Sequence, residues 1–175
     1  DDGAAAAPTS DLIPREVLFG NPERASVQIS PDGTMLSFRA PVEGVMNAWV
    51  QSLEGGEARP LTTYTARPIG SLPWAWHGEP VRLTKDKGGD ENFHVYSVDI
   101  DDSEIRDLTP VEGARAGIAD ASRDRPDDII VVMNDANPQY MSVYRVNTRT
   151  GDRTLVERND GYLGYILDDD WNVRV

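Results

Sequence analysis

The sequence predicts an all-β protein: a partial β-propeller of about three and a half four-stranded antiparallel blades, with a short helical segment in front. Three observations carry this prediction. Short stretches of alternating character recur along the chain, as strands with a side-chain period of two require. Aromatic anchors at Trp49, Tyr96 and Tyr144 stand 47 and 48 positions apart, each in a strand and each followed by a turn. Leucines 61, 108 and 155 recur at intervals of 47 in the short closing strands Arg59-Pro-Leu-Thr62, Arg106-Asp-Leu-Thr109 and Arg153-Thr-Leu-Val156. A period in the forties with several strands per unit marks propeller blades, and helical periodicity is almost absent. A single blade cannot bury both of its faces, so each unit needs a neighbour.

Residues 1–25 form a leader and a short helical segment. Asp1 to Ser10 is small and polar, which suits a flexible terminus. In Ile13-Pro-Arg-Glu-Val-Leu-Phe19, Pro14 fits a first helical position and Glu16 a helix N-terminus, before Gly20 and Pro22 end the turn or two. This helix is expected to pack on the first blade.

The incomplete propeller occupies 26–175, with blades at 26–64, 69–112 and 116–158 and a partial one at 160–175. In the first, Val27-Gln-Ile29 is the inner strand, Ser30-Pro-Asp-Gly33 a turn with Gly33 left-handed, and Met35 to Ala40 the second strand. Pro41 to Asn47 reads as a loop, and Ala48 to Leu53 as the third strand. The second blade opens with Ser71-Leu-Pro-Trp-Ala-Trp76, and Trp76, 47 positions past Ile29, should share its layer. Val81-Arg-Leu-Thr84 and His94 to Asp99 then flank a charged loop containing Gly88-Gly89. Val95, Ser97 and Asp99 fall on one side of that strand, and His94, Tyr96 and Val98 on the other. The third blade runs from Gly117-Ile-Ala-Asp-Ala-Ser122 through Ile129-Ile-Val-Val-Met133 and a loop at Asn134–Gln139 to Val143-Tyr144-Arg-Val-Asn147. The fourth unit begins at Gly161-Tyr-Leu-Gly-Tyr-Ile-Leu167, turns at Asp168-Asp-Asp170 and resumes at Trp171. It stops in mid-blade. An open sheet edge invites pairing, so the expectation is a piece of a longer chain, or a half that associates with another chain through that edge.

With 175 residues the chain is long enough for a sizeable core. Its formal net charge of −13 argues against nucleic acid or an anionic membrane surface as partner, since both call for a basic face. It holds no cysteine, hence no disulfide, thiol nucleophile or cysteine metal site. No apolar run approaches the length of a membrane span.

The segments Leu12-Ile-Pro-Arg-Glu-Val-Leu-Phe-Gly-Asn-Pro-Glu-Arg-Ala25, Gln28-Ile-Ser-Pro-Asp-Gly33 and Asp86-Lys-Gly-Gly-Asp-Glu-Asn-Phe-His94 together resemble the N-terminal propeller of S9-family serine peptidases, of the prolyl oligopeptidase clan and most of all its bacterial dipeptidyl aminopeptidase/acylaminoacyl peptidase-like members. The Ser-Pro-Asp-Gly turn also occurs in TolB-type propellers. The resemblance implies a seven- or eight-bladed propeller capping an α/β-hydrolase domain with a Ser-Asp-His triad, the propeller restricting access to peptide-sized substrates. A bacterial, cytoplasmic location is expected, with a periplasmic or secreted one left open.

The chain offers no catalytic residue of its own. A hydrolase elbow needs Gly-x-Ser-x-Gly, and at Gly70-Ser71 a proline, Pro73, stands where the second glycine belongs. His94 lies in a strand and His77 in a turn. Asp99-x-Asp101-x-Ser103 starts like a calcium loop, but Glu104 occupies the glycine place and Pro110 the closing glutamate place, so neither metal nor cofactor is expected. The substrate-binding candidates are Asp90, Glu91 and Asn92. Their loop should emerge on the blade-crossover face, where Asp90 or Glu91 could hold a substrate ammonium by a charge-assisted hydrogen bond. The alternative is that Lys87 neutralises these acids and the glycines merely make the turn. Trp49, Trp74, Trp76, Tyr96, Tyr144 and Trp171 are assigned to packing between blades. Two functions follow: an access-restricting propeller segment whose partners are a hydrolase domain and peptide substrates, or a TolB-like binding scaffold with no enzyme attached.

Overall fold

The chain folds as successive antiparallel sheets stacked face to face. The computed structural model describes residues 13–76, 78 and 81–174. His77 and the leader up to Leu12 lie outside them. After helix α1 (Arg15–Phe19), the first blade is β1 (Ala25–Ile29), β2 (Met35–Val42), β3 (Val45–Ser52) and β4 (Arg59–Pro60), hydrogen-bonded in sequence order. The second holds β5 (Val81–Lys85), β6 (His94–Val98) and β7 (Ile105–Asp107). The third holds β8 (Ala116–Ala121), β9 (Asp128–Asn137), β10 (Tyr140–Asn147) and β11 (Arg153–Glu157). A two-stranded unit, β12 (Ile166–Leu167) and β13 (Val173–Arg174), follows. The sheets do not close into a ring, and the architecture is a partial propeller.

Strand alternation builds the core. In β6, Val98 and Tyr96 point to the first blade, where Ala48, Val50 and Leu61 meet Val81 and Leu83. Val95, on the other face, joins Leu108 and the third blade's Ile129, Val131 and Met133. In the third blade Ile130 and Val143 turn the opposite way, onto Trp171 of the fourth unit. Ala48, Val95 and Val143 hold corresponding places, 47 and 48 residues apart. Each valine, leucine, isoleucine or methionine so removed from water contributes about 1.5–3 kcal/mol.

The Leu-Thr pairs that close the first two blades have a common cause. The closing strand leaves the sheet at this point, and the strand beside it would keep a bare N–H. Thr62 Oγ1 accepts from Ala48 N–H at 3.0 Å, and Thr109 Oγ1 accepts from Val95 N–H at 3.0 Å. Both threonines are fully buried. Asn47 adds to this joint: its Oδ1 accepts from Thr62 Oγ1 and Tyr64 N–H, and its amide donates to the Tyr64 carbonyl, fixing the crossover to the next blade.

Several expectations need correction. Leu155 is not the third member of the leucine series. It is 43% exposed and pairs with Tyr144, whereas Tyr96 pairs with Asp107 and Trp49 with Pro60. One extra residue lies between Tyr96 and Tyr144, so Leu155 follows its aromatic by 11 positions instead of 12, and Val156 takes the strand position of Leu61 and Leu108. A one-residue slip reverses the face of a strand residue. Helix α1 does not pack on the first blade, because Val17, Leu18 and Phe19 are consecutive, form no stripe along one helix face and stand exposed. Pro41–Asn47 is not a loop: β2 and β3 run to a two-residue turn at Glu43-Gly44, both with positive φ (50° and 82°). Likewise β9 continues to Asn137, leaving Pro138-Gln139 as the turn. The inner strand expected at 71–76 shrinks to a bridge between Trp74 and Val81, since Pro73 has no N–H to give a ladder. It still runs beside β5, through Gly70 N–H to the Thr84 carbonyl and Arg82 N–H to the Pro73 carbonyl. In the fourth unit Trp171 lies in the turn at φ 64°, not in a strand.

Thr109→Val keeps the shape and removes the acceptor, leaving Val95 N–H buried without a partner. We expect a loss of about 1–3 kcal/mol in chemical denaturation, and an unchanged unfolding midpoint would contradict this account of the Leu-Thr signature.

Candidate functional site

The loop between β5 and β6 (residues 86–93) is built around a buried carboxylate. Asp86 is only 2% exposed and pairs with Arg67 of the preceding crossover at 3.0 Å. Burial on its own would raise the Asp86 pKa, but the Arg67 hydrogen bond and charge and the Glu91 N–H together bring it below the ordinary value. Arg67 lies flat along the loop: a Cβ on Gly89 would stand 3.4 Å from its guanidinium carbon, and Gly89 has φ 92°. The loop is thereby tied to the crossover, and it emerges at that end of the blade.

The three candidate residues do different things. Asp90 is spent on the loop itself: its carboxylate accepts from Lys87 N–H (3.3 Å), Asn92 N–H (3.1 Å) and the Asn92 side-chain amide (3.4 Å). Asn92 is half-buried against it. Glu91 sits at the tip in the left-handed region, φ 60°, a conformation seldom held by a residue other than glycine. It is exposed, and among the described residues no hydrogen bond or ion pair engages its carboxylate. Lys87 neutralises neither acid: its contact with Asp90 is through its backbone N–H. Of the three candidates, Glu91 is the group free to meet a ligand.

The other candidates resolve into local structure. His94 is half-buried and its Nδ1 lies 2.8 Å from Asp107 of β7, a cross-strand pair. Asp99 accepts the N–H groups of Asp101 and Asp102, and Asp102 that of Glu104, so this acidic run caps its own turn. Asp168 binds Asn172 through backbone and side chain, Asp170 N–H and the Arg174 guanidinium. These bonds, the Asn172 side chain first, pull its pKa down to about 2. Among the described residues no three His, Asp or Glu side chains converge as metal ligands would. Of the aromatics, Tyr96 and Tyr144 pack against the inter-blade cores and Trp74 and Trp171 lie within them. Trp76 does not: it borders a cavity on the inner side of the blades together with Ile29, the layer-mate that spacing assigned it. That cavity went unnoticed in the sequence, although an arginine between Val81 and Leu83 of an apolar strand was the available signal.

No family model matches the chain. It is 43% identical over 98% of its length to dipeptidyl aminopeptidase BIII of Pseudoxanthomonas mexicana, and 30% identical over 94% to dipeptidyl peptidase family member 6 of Caenorhabditis elegans. The chain is a propeller segment of the S9 serine-peptidase family. It spans 26% and 23% of the length of these two relatives. Solved structures agree on the fold. The β-propeller domain of the trilobed protease of Pyrococcus furiosus matches with a TM-score of 0.55 and 21% identity, over 76% of this chain and 43% of that one. A TolB protein of Agrobacterium tumefaciens matches at 0.56 and 23% identity, over 75% of this chain and 45% of that one.

Asp168 makes a pH prediction for this S9 segment. Its folded pKa is depressed, so its contribution is present above the unfolded value of about 4 and is lost as pH falls toward about 2. The gap in thermal midpoint between the parent chain and Asp168→Asn should close over that window. A gap that stays constant down to pH 2 would remove the Asx cap from the account.

Proposed function

We propose that this chain is the non-catalytic, access-restricting propeller part of a serine peptidase acting on peptides with a free amino end. The observation that carries the reading is the outward, unpaired Glu91 carboxylate at the tip of the loop on the crossover side. A carboxylate so placed attracts an ammonium, and a charge-assisted hydrogen bond to it is about twice as strong as a neutral one. The 43% identical relative is named as a dipeptidyl aminopeptidase, which supports a substrate with a free N-terminus. The reaction itself is assigned to a hydrolase domain, the propeller's partner within the longer protein. Asp90, Asn92 and the Arg67–Asp86 pair position Glu91.

A second reading, a TolB-like binding scaffold, is favoured by the likeness to TolB. That likeness, at 23% identity, speaks for the fold alone. The scaffold reading gives the exposed Glu91 carboxylate at the loop tip no task.

In the peptidase that contains this segment, Glu91→Gln should reduce the preference for a free over an N-acetylated peptide substrate by about tenfold, the worth of one charge-assisted bond of roughly 1.4 kcal/mol. Most of the change should fall on KM. Unaltered selectivity would defeat the assignment, and the absence of any peptide hydrolysis by that protein would favour the scaffold.

A further inference from the structure

A cavity of about 310 Å³ opens between the inner edges of the blades. Ile29 and Pro31 line it from the first blade, Trp74, Trp76 and Arg82 from the second, and Ala121 from the third. Its volume is at the lower end of the range for small-molecule sites. The walls are mostly aromatic and aliphatic, with Gln28 as a neutral polar member and one charged side chain.

That side chain is in an unusual position. Arg82 is 4% exposed, yet among the described residues no carboxylate lies within ion-pair distance of it. One Nη2 hydrogen bond runs to the Trp74 carbonyl, and Nε has no acceptor. The neighbouring Trp74 Nε1 is a second buried donor without an acceptor. Buried charges are normally paired, because an uncompensated one is costly. Burial lowers the Arg82 pKa to about 10, which leaves it cationic at neutral pH. Arg123 adds a second guanidinium at the rim, 5.0 Å from the Trp76 ring centroid. In a chain of net charge −13 this is a local concentration of cations beside an apolar pocket.

We infer that this axial cavity binds a carboxylate that carries an apolar group of about leucine size, with the Arg82 guanidinium as counter-ion and Trp76 as apolar wall. Arginine's planar fork suits a carboxylate, which it can hold bidentately. The C-terminal residue of a short peptide and a free acyl amino acid share this chemistry. The inference is independent of the ammonium role of Glu91, and blocked amino ends keep the two apart in the test.

The experiment is calorimetric titration of the chain with N-acetyl-leucine, with an N-acetylated tripeptide ending in leucine, and with the C-terminal amide of that tripeptide. Both acids should bind, and the amide at least tenfold more weakly. Arg82→Met should reduce the acids to the level of the amide, with a thermal midpoint no lower than the parent's, because the substitution deletes an unpaired buried charge. Trp76→Ala, at a partly exposed position, should leave folding intact and weaken both acids. Tighter binding of the peptide than of N-acetyl-leucine identifies a peptide end as ligand, and equal binding a free acid. Binding of the amide as tight as the acids, full binding by Arg82→Met, or no binding of either acid by the parent chain would each overturn the inference. Should Arg82→Met fail to fold, the acid–amide comparison and Trp76→Ala decide alone.

Discussion

Burial of both faces of the second blade is the constraint on which the rest of the molecule depends. A sheet with one apolar face needs one neighbour, and β6 has two such faces: Tyr96 and Val98 on one, Val95 on the other. Neither face can be satisfied within the blade. The first and third blades are therefore held not to each other but to the second, and the third in turn receives Trp171 of the fourth unit. Propeller geometry follows from repeating this requirement every 47 or 48 residues.

The same constraint positions the candidate site. Crossovers carry the chain from an outer strand to the next inner one, and they are fixed where Asn47 grips Tyr64 and Arg67 grips Asp86. The loop that presents Glu91 is thus anchored at its base, through Asp86, to Arg67 of a crossover whose two ends are buried at Leu61 and Ile69, while its tip is free. The axial cavity has the complementary origin. Pro73 spoils the inner strand of the second blade, and the space beside the bridge at Trp74 is what remains between three inner edges. One irregularity in an otherwise repetitive sheet supplies the room for a ligand.

Much of this was legible in the sequence, for a physical reason. Tyr96 and Tyr144 mark equivalent places because packing between blades selects residue type at a fixed position in each strand, whereas Trp49, at the same place in the first blade, stacks on Phe38 of its own sheet. The acidic loop announced itself by two adjacent glycines that the left-handed turn requires. Other features left weaker traces. The slip at Leu155 hides because a single added residue preserves composition while reversing the face. The hairpin at Glu43-Gly44 lacks the Asn-Gly or Asp-Gly pair that usually declares a two-residue turn, so Pro41–Asn47 passed for a loop. Which acid is free is a matter of contacts: Asp90 and Glu91 look alike in sequence, and only the bonds to Lys87 N–H and Asn92 separate them.

Native-state hydrogen exchange tests the dependence on the second blade most directly. If that blade is the shared neighbour, the amides of β5 and β6 exchange most slowly, and Leu83→Ala speeds exchange in the first blade while Leu108→Ala speeds it in the third. Equal protection in all blades, with each substitution confined in effect to its own sheet, would show that the blades stand alone and would contradict the account.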